Sequence, residues 1–255
     1  MRETVSHPLR TALVTGATSG IGRAIVATLR TAGLKVIATG RNADALAALA
    51  REYGAITVQA DICDTDAICA AVASHEIDIV VNNAGILSTS GPFADTDISQ
   101  IDAMIDINLK APLRLTHQLL PPMITRRRGH VLFVGSIAGH SPFPGSCVYG
   151  ASKAGIRLFC DALRCDLLGT GVRVTEIVPG RVETALYRDT LGPDRARAAL
   201  YDGYRPVQPE DVASLVRTVI DMPLHVDVTR MEVLPTDQAS GGGTMVRFDP
   251  DGTTA

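Results

Sequence analysis

The sequence predicts an α/β fold, a doubly wound parallel sheet of seven strands with helices on both faces. Three observations lead there. Short Val/Ile-rich runs alternate with stretches of helical period. Most of those runs are apolar on both faces, as strands inside a parallel sheet are. A glycine-rich turn also joins the first strand to the first helix.

The strands are expected at 12–15 (ALVT), 35–38 (KVIA), 56–59 (ITVQ), 77–81 (IDIVV), 130–134 (HVLFV), 172–178 (VRVTEIV) and 231–234 (MEVL). Ile21, Ile25, Thr28, Leu29 and Ala32 recur at helical spacing after the first strand, and Leu46, Leu49, Ala50 and Tyr53 after the second. A late helix carries Val212, Leu215, Val216 and Val219. It opens on Pro209, Glu210 and Asp211, which suit a helix N-terminus sterically and electrostatically. The interior holds no linker rich in Gly, Pro or Ser and no repeat, so 1–255 is expected to be a single domain. Residues 184–206 look irregular. The tail after Ser240 is expected to be mobile or held by a neighbouring subunit.

The 255 residues are 46% hydrophobic and carry a formal charge of −3, so electrostatics gives no reason to expect nucleic acid as a partner. The basic run Arg126, Arg127, Arg128 reads as a solvated helix end. Five cysteines without a C-x-x-C pair read as free thiols in a reducing compartment. Six histidines lack metal-ligand spacing. The start has no apolar signal core and no run is long enough to span a bilayer, so a soluble cytoplasmic protein is expected.

The turn TGATSGIG occupies 15–22, with Gly16, Gly20 and Gly22 among Thr18, Ser19 and Ile21. Glycines between a strand and a helix let the backbone approach a pyrophosphate, and the helix N-terminus offers N–H donors and partial positive charge. A dinucleotide-binding turn of a Rossmann fold is expected here, although the spacing is G-x-x-x-G-x-G and not the usual G-x-G-x-x-G. The second strand ends in ATGRN, 38–42. An acid at the strand end would bond the ribose of NAD. Gly40 stands there instead, followed by Arg41 and Asn42, and an arginine accommodates the extra phosphate of NADP. NADP(H) is therefore favoured over NAD(H).

VYGASKAG, 148–155, places Tyr149 and Lys153 four residues apart at the start of a helical segment, hence on one face. A free phenol has a pKa of about 10, and bringing it to neutrality takes roughly 4 kcal/mol of differential interaction. A neighbouring ammonium acts in that direction. Tyr149 would then give a proton to a carbonyl oxygen during reduction and take it back during oxidation.

With these residues the chain resembles the short-chain dehydrogenase/reductase family over about residues 10 to 235. The resemblance rests on TGATSGIG, Asp61 after the third strand and NNAG at 82–85. It continues through Asn108, Ser136, the Tyr149 and Lys153 pair, and Pro179 with Gly180. It implies a catalytic tetrad of Asn108, Ser136, Tyr149 and Lys153. It also implies that Asp61 and Ile62 lie by the adenine, that Asn83, Ala84 and Gly85 line the cofactor, and that Gly180, Val182 and Thr184 meet the nicotinamide side. VIATGR (36–41), GSIAG (135–139) and MEVLP (231–235) are most similar to the NADP-dependent 3-hydroxy acid and serine dehydrogenases. RVETALYR (181–188) departs from that branch and leaves the substrate open. The resemblance further suggests a homotetramer packed through the helix that starts near Tyr149.

Asn108 lies midway in a long helical pattern that Pro112 is expected to break. Leu87, Ala138, His140, Phe143, Cys147, Arg181 and the 184–206 stretch are expected to wall the substrate pocket, with Arg181 or Arg188 as a possible carboxylate anchor. The function expected is NADP(H)-dependent interconversion of a secondary alcohol and a ketone, or of an alcohol and an aldehyde, on a small molecule such as a 3-hydroxy acid. The alternatives are a larger carbonyl (a 3-oxoacyl thioester, a steroid-like ring or a sugar) and a non-catalytic NADP-binding sensor. Binding alone would not require Ser136, Tyr149 and Lys153 together.

Overall fold

The structure is a computed structural model. It describes residues 9–88, 91–186, 192, 197, 200–241 and 244–248. Seven strands form one sheet: β1 (Thr11–Val14), β2 (Lys35–Gly40), β3 (Ile56–Gln59), β4 (Ile79–Asn82), β5 (Gly129–Val134), β6 (Val172–Pro179) and β7 (Arg230–Val233). Their order is β3-β2-β1-β4-β5-β6-β7, and every neighbouring pair is parallel. Each expected strand is present within two residues of its predicted ends. The central strands β1, β4, β5 and β6 are buried along their length, whereas β3 and β7 at the edges are part exposed. That is why the central runs read as continuous apolar segments.

Helices cover both faces. On one, α1 (Gly20–Thr31) and α2 (Ala43–Tyr53) are joined by α7 (Pro209–Ile220). There Ile25 and Leu29 meet Leu46, Leu49, Val212 and Val216 over Val14, Val36 and Ile177. On the other, α3 (Thr65–Val72), α5 (Ala111–Thr125) and α6 (Cys147–Asp166) bury Ile68, Leu115, Met123, Ile156 and Cys160 against Leu13, Val80, Val131 and Phe133. The helix ends follow local chemistry. Asp64 caps α3 by accepting from the Ala67 N–H at 3.1 Å. Gln208 and Asp211 form a reciprocal capping box across Pro209 at the start of α7.

Pro112 does not end its helix. α4 (Ile98–Ile105) runs through a π-helical turn, Asp106–Lys110, directly into α5. Proline offers no N–H to a helical turn and its ring crowds the preceding one, and the wider turn before Pro112 accommodates the ring. Asn108 sits inside this π turn and is buried.

The run Arg126–Arg128 is not simply a solvated helix end. Arg128 donates from Nε and Nη2 to Oδ1 of Asp78, at 3.2 and 3.1 Å, and Asp78 is buried. The other carboxylate oxygen accepts the Arg10 and Thr11 N–H groups at 2.7 and 3.2 Å. One acid thus ties the starts of β1 and β4 to the end of α5. In the tail, Val246 N–H donates to the Asp237 carbonyl and Phe248 N–H to that of Gly203, at 2.9 and 2.8 Å, so this chain's own Asp237 and 201–204 turn hold the segment.

Arg128→Ala leaves Asp78 buried with only its two backbone donors. It is expected to cost about 1–3 kcal/mol of unfolding free energy, read as a lower urea midpoint at unchanged slope.

Candidate active site

The order of strands reverses between β1 and β4, because the chain leaves β1 for β2 and later returns to β1's other side. In open α/β sheets the crevice at such a point, beyond the carboxyl ends of the strands, receives ligands. A cleft of about 620 Å³ lies there.

One wall is the turn after β1. Gly16 and Gly20 have φ of 61° and 49°, the left-handed region that favours glycine. A Cβ on Gly16 would come within 2.8 Å of the Ala84 Cα, and one on Gly22 would overlap the Gly16 carbonyl. The three glycines therefore serve different ends. Gly16 and Gly20 turn the chain, while Gly22 lets α1 begin directly against that turn. Ser19 is the N-cap residue, and the first turn of α1 carries no acid, so the helix end faces the cleft without a competing carboxylate. Asn83 pins the turn from β4, donating from Nδ2 to the carbonyls of Thr15 and Gly16 at 2.9 and 3.1 Å. Thr15 Oγ1 in turn accepts the N–H groups of Asn83 and Ala84 at 3.0 and 3.1 Å.

At the end of β2, Arg41 lines the cleft and is 72% exposed along its side chain, with Asp61 as an ion-pair partner at 3.9 Å. A Cβ on Gly40 would lie 2.6 Å from the Thr18 methyl, so an acid at position 40 has no room unless Thr18 moves.

The far wall brings together the strand end of β5 and the start of α6. Ser136 follows β5 and its Oγ accepts the Ala138 N–H at 3.1 Å. The helix comes so near the following turn that a Cβ on Gly139 would lie 2.6 Å from the Lys153 carbonyl carbon. Tyr149 and Lys153 are both buried, and the ammonium lies 5.8 Å from the centre of the Tyr149 ring. Lys153 Nζ donates to the Val134 carbonyl at 2.8 Å. Burial pushes the Lys153 pKa down to about 8, opposed by the negative charge of Glu176.

Most residues singled out in the sequence meet in this cleft. Gly16, Thr18, Ser19, Gly20, Ile21, Arg41, Asp61, Ile62, Asn83, Ala84, Gly85, Ser136, Tyr149, Lys153, Pro179, Gly180, Val182 and Thr184 all line it. Gly22, Asn42 and Asn108 are not among its lining residues. Asn42 caps α2, its Oδ1 accepting the Ala45 N–H at 3.0 Å. Asn108 clamps residue 86 from both sides, donating to the Ile86 carbonyl at 2.9 Å and accepting its N–H at 2.8 Å. It also donates to Ser152 Oγ at 3.3 Å. A Cβ on Gly85 would stand 3.2 Å from Asn108 Oδ1 and 3.6 Å from Lys153 Nζ, so Asn108 lies just behind the wall.

The substrate walls are less as expected. Leu87 lines the cleft, but Ala138, His140, Phe143, Cys147 and Arg181 do not. His140 points inward to Glu176, and Arg181 turns to Tyr204 because it alternates with Val182 and Thr184, which face the cleft. Arg188 lies outside the described residues. Ala103 and Ile107 line the cleft without having been foreseen, one turn before and one residue before Asn108 on the same helical run.

The family model described as "short chain dehydrogenase" matches residues 10–193. The chain belongs to the short-chain dehydrogenase family. It is an oxidoreductase acting on CH–OH groups. It is 50% identical to an uncharacterized short-chain type dehydrogenase/reductase, y4eK, of Sinorhizobium fredii, over 95% of this chain and 99% of that one. It is 42% identical to sulfoacetaldehyde reductase 2 of Chromohalobacter salexigens, over 89% and 94% of the two chains. Among solved structures, the closed form of serine dehydrogenase complexed with NADP+ is similar at a TM-score of 0.87 and 38% identity, over 93% of this chain and 99% of that chain. Among the described residues no helix is long and apolar enough to cross a membrane.

Proposed function

We propose that this chain is an NADP(H)-dependent dehydrogenase that interconverts a small 3-hydroxy acid, or a similar small alcohol, and its carbonyl form. The observation that carries the reading is the convergence of Ser136, Tyr149 and Lys153 on one wall of a cleft whose opposite wall is the glycine turn and helix N-terminus. The residues present fit a dinucleotide. Two glycines at positive φ leave a cradle without Cβ atoms, and the first turn of α1 has no acid to repel a pyrophosphate. The preference for NADP(H) is supported by Gly40, by the exposed Arg41 beside it, and by the NADP+ of the similar serine dehydrogenase.

When bound, the nicotinamide supplies or accepts a hydride. This chain's residues handle the proton and the oxygen. Lys153 favours the phenolate of Tyr149 electrostatically, in a site dry enough for one charge to matter. Tyr149 gives its proton to the carbonyl oxygen in reduction and recovers it in oxidation. Ser136 Oγ–H donates to the same oxygen and orients it. Asn108 holds the backbone at residue 86 and, through Ser152, the first turns of α6. It is a positioning residue in this scheme.

The small size of the substrate is supported by the apolar side chains of Leu87, Ala103, Ile107 and Leu186 around the cleft. The relatives named for serine and sulfoacetaldehyde act on small molecules as well. All five cysteines are free, which suits a reducing compartment such as the cytoplasm. We infer a homotetramer assembled through α6, which leaves Leu158 66% exposed, with Leu168 just beyond it 82% exposed.

A panel of L-serine, 3-hydroxybutyrate, 3-hydroxypropionate, sulfoacetaldehyde and cyclic ketones, run with both nicotinamide cofactors, tests the function. Turnover confined to the cyclic ketones would defeat the small-acid reading, and no turnover at all would favour a sensor. Tyr149→Phe is expected to abolish hydride transfer while NADPH still binds, as read by absorbance and by fluorescence titration. Arg41→Ala is expected to weaken NADPH binding by roughly tenfold or more, the worth of a lost charge-assisted contact, and to leave NADH nearly unchanged. Sedimentation equilibrium is expected to give four chains, and Leu158→Glu smaller species.

A further inference from the structure

A carboxylate that the proposed mechanism does not use lies directly beneath the catalytic wall. On β6, Val172, Val174, Glu176 and Val178 alternate toward the side of the sheet that α6 covers. Glu176 is fully buried at a position where another valine would serve the fold. Enclosing a carboxylate costs several kcal/mol unless it is partnered on each oxygen. Here both oxygens are engaged. His140 Nε2 donates to Oε1 at 3.1 Å, and Arg230 Nε donates to Oε2 at 2.9 Å. Arg230 also reaches Asp161 at 3.1 Å, and Asp161 in turn pairs with Arg164, so Arg230 is shared between the two acids.

The partners tie this carboxylate to the active site. His140 ends the short turn that begins at Ser136. Gly135, between Val134 and Ser136, lacks the Cβ that would overlap Glu176 Oε1. The Val134 carbonyl is the one that accepts from Lys153 Nζ. The carboxylate therefore sits against the residue that joins the Lys153 acceptor to Ser136. The titratable and charged groups around it are His140 from the turn, Arg230 from β7, and Lys153, Cys160, Asp161 and Arg164 from α6. Burial and Glu176 both raise the Cys160 thiol, which stays neutral.

We propose that Glu176 is a positioning residue for the hydride-transfer reaction: through His140 it holds the segment carrying Ser136, and it keeps a fixed negative charge behind Lys153. This rests on the function proposed above for the same site. Removing a negative charge stabilises the deprotonated form of the Tyr149 and Lys153 pair, whichever group loses its proton first. The apparent pKa of that pair must therefore fall when the carboxylate becomes an amide.

The test follows kcat/KM against pH for oxidation of L-serine or 3-hydroxybutyrate with NADP+, using whichever the wild-type protein oxidises faster. Glu176→Gln is expected to move the rising limb to lower pH by roughly half a unit or more. Glu176→Asp, which retains the charge, is expected to leave the limb near its wild-type position. His140→Lys sets a cation against the same oxygen and is expected to shift the limb in the same direction as Glu176→Gln, so the outcome stays readable if the amide variant fails to fold. A limb that stays in place in the folded variants overturns the inference. So does a limb that moves as far in Glu176→Asp as in Glu176→Gln, since packing would then be responsible rather than charge. Tyr149→Phe separates the two failures. If it is inactive while the limb is unmoved, only the role of Glu176 falls; if it is active, the reading of the site itself falls.

Discussion

The burial of the Lys153 ammonium is the constraint around which this site is arranged. A charge withdrawn from water must find partners or lose its proton. Lys153 has the Val134 carbonyl, the face of the Tyr149 ring and the field of Glu176. These are enough to keep it mostly protonated at neutrality and too few to return it to the range of a free lysine. A poised cation of this kind is what a phenol beside it needs in order to exchange protons at ordinary pH.

That arrangement requires α6 to approach the end of β5 more closely than side chains permit. Gly139 gives way to the Lys153 backbone, and Gly135 gives way to the Glu176 carboxylate. On the opposite side of the cleft, Gly16 and Gly22 allow β1, α1 and β4 to converge in the same manner. Two close approaches, each made by glycine, thus define the two walls of one crevice. The reversal of strand order between β1 and β4 keeps helices from filling the space between the walls.

The strands were legible because central positions in a parallel sheet must be apolar on both faces, and this holds for β1, β4, β5 and β6 without reference to anything distant. Tyr149 and Lys153 were legible because one helix turn aligns them. The departures share a different origin. Arg128 is half of a pair whose other half, Asp78, is 50 residues earlier. His140 stands near Tyr149 in the chain yet bonds to Glu176 on another strand. Arg181 neighbours residues that face the cleft and itself faces Tyr204, since an extended chain sends successive side chains to opposite sides. Pro112 looks like a helix breaker in the sequence because local rules do not specify a π turn just before it.

The sequence by itself determined the sheet, the glycine turn and the acid–base pair, because each is specified by residues within one or two turns of chain and by their own periodicity. The tertiary structure alone decided which polar side chains reach the cleft and which are spent beneath it, and so placed Glu176 behind Lys153 and Asn108 behind Gly85. The physical reason is that the orientation and charge balance of a buried group depend on partners contributed by other strands and helices. No local pattern records where those partners will lie.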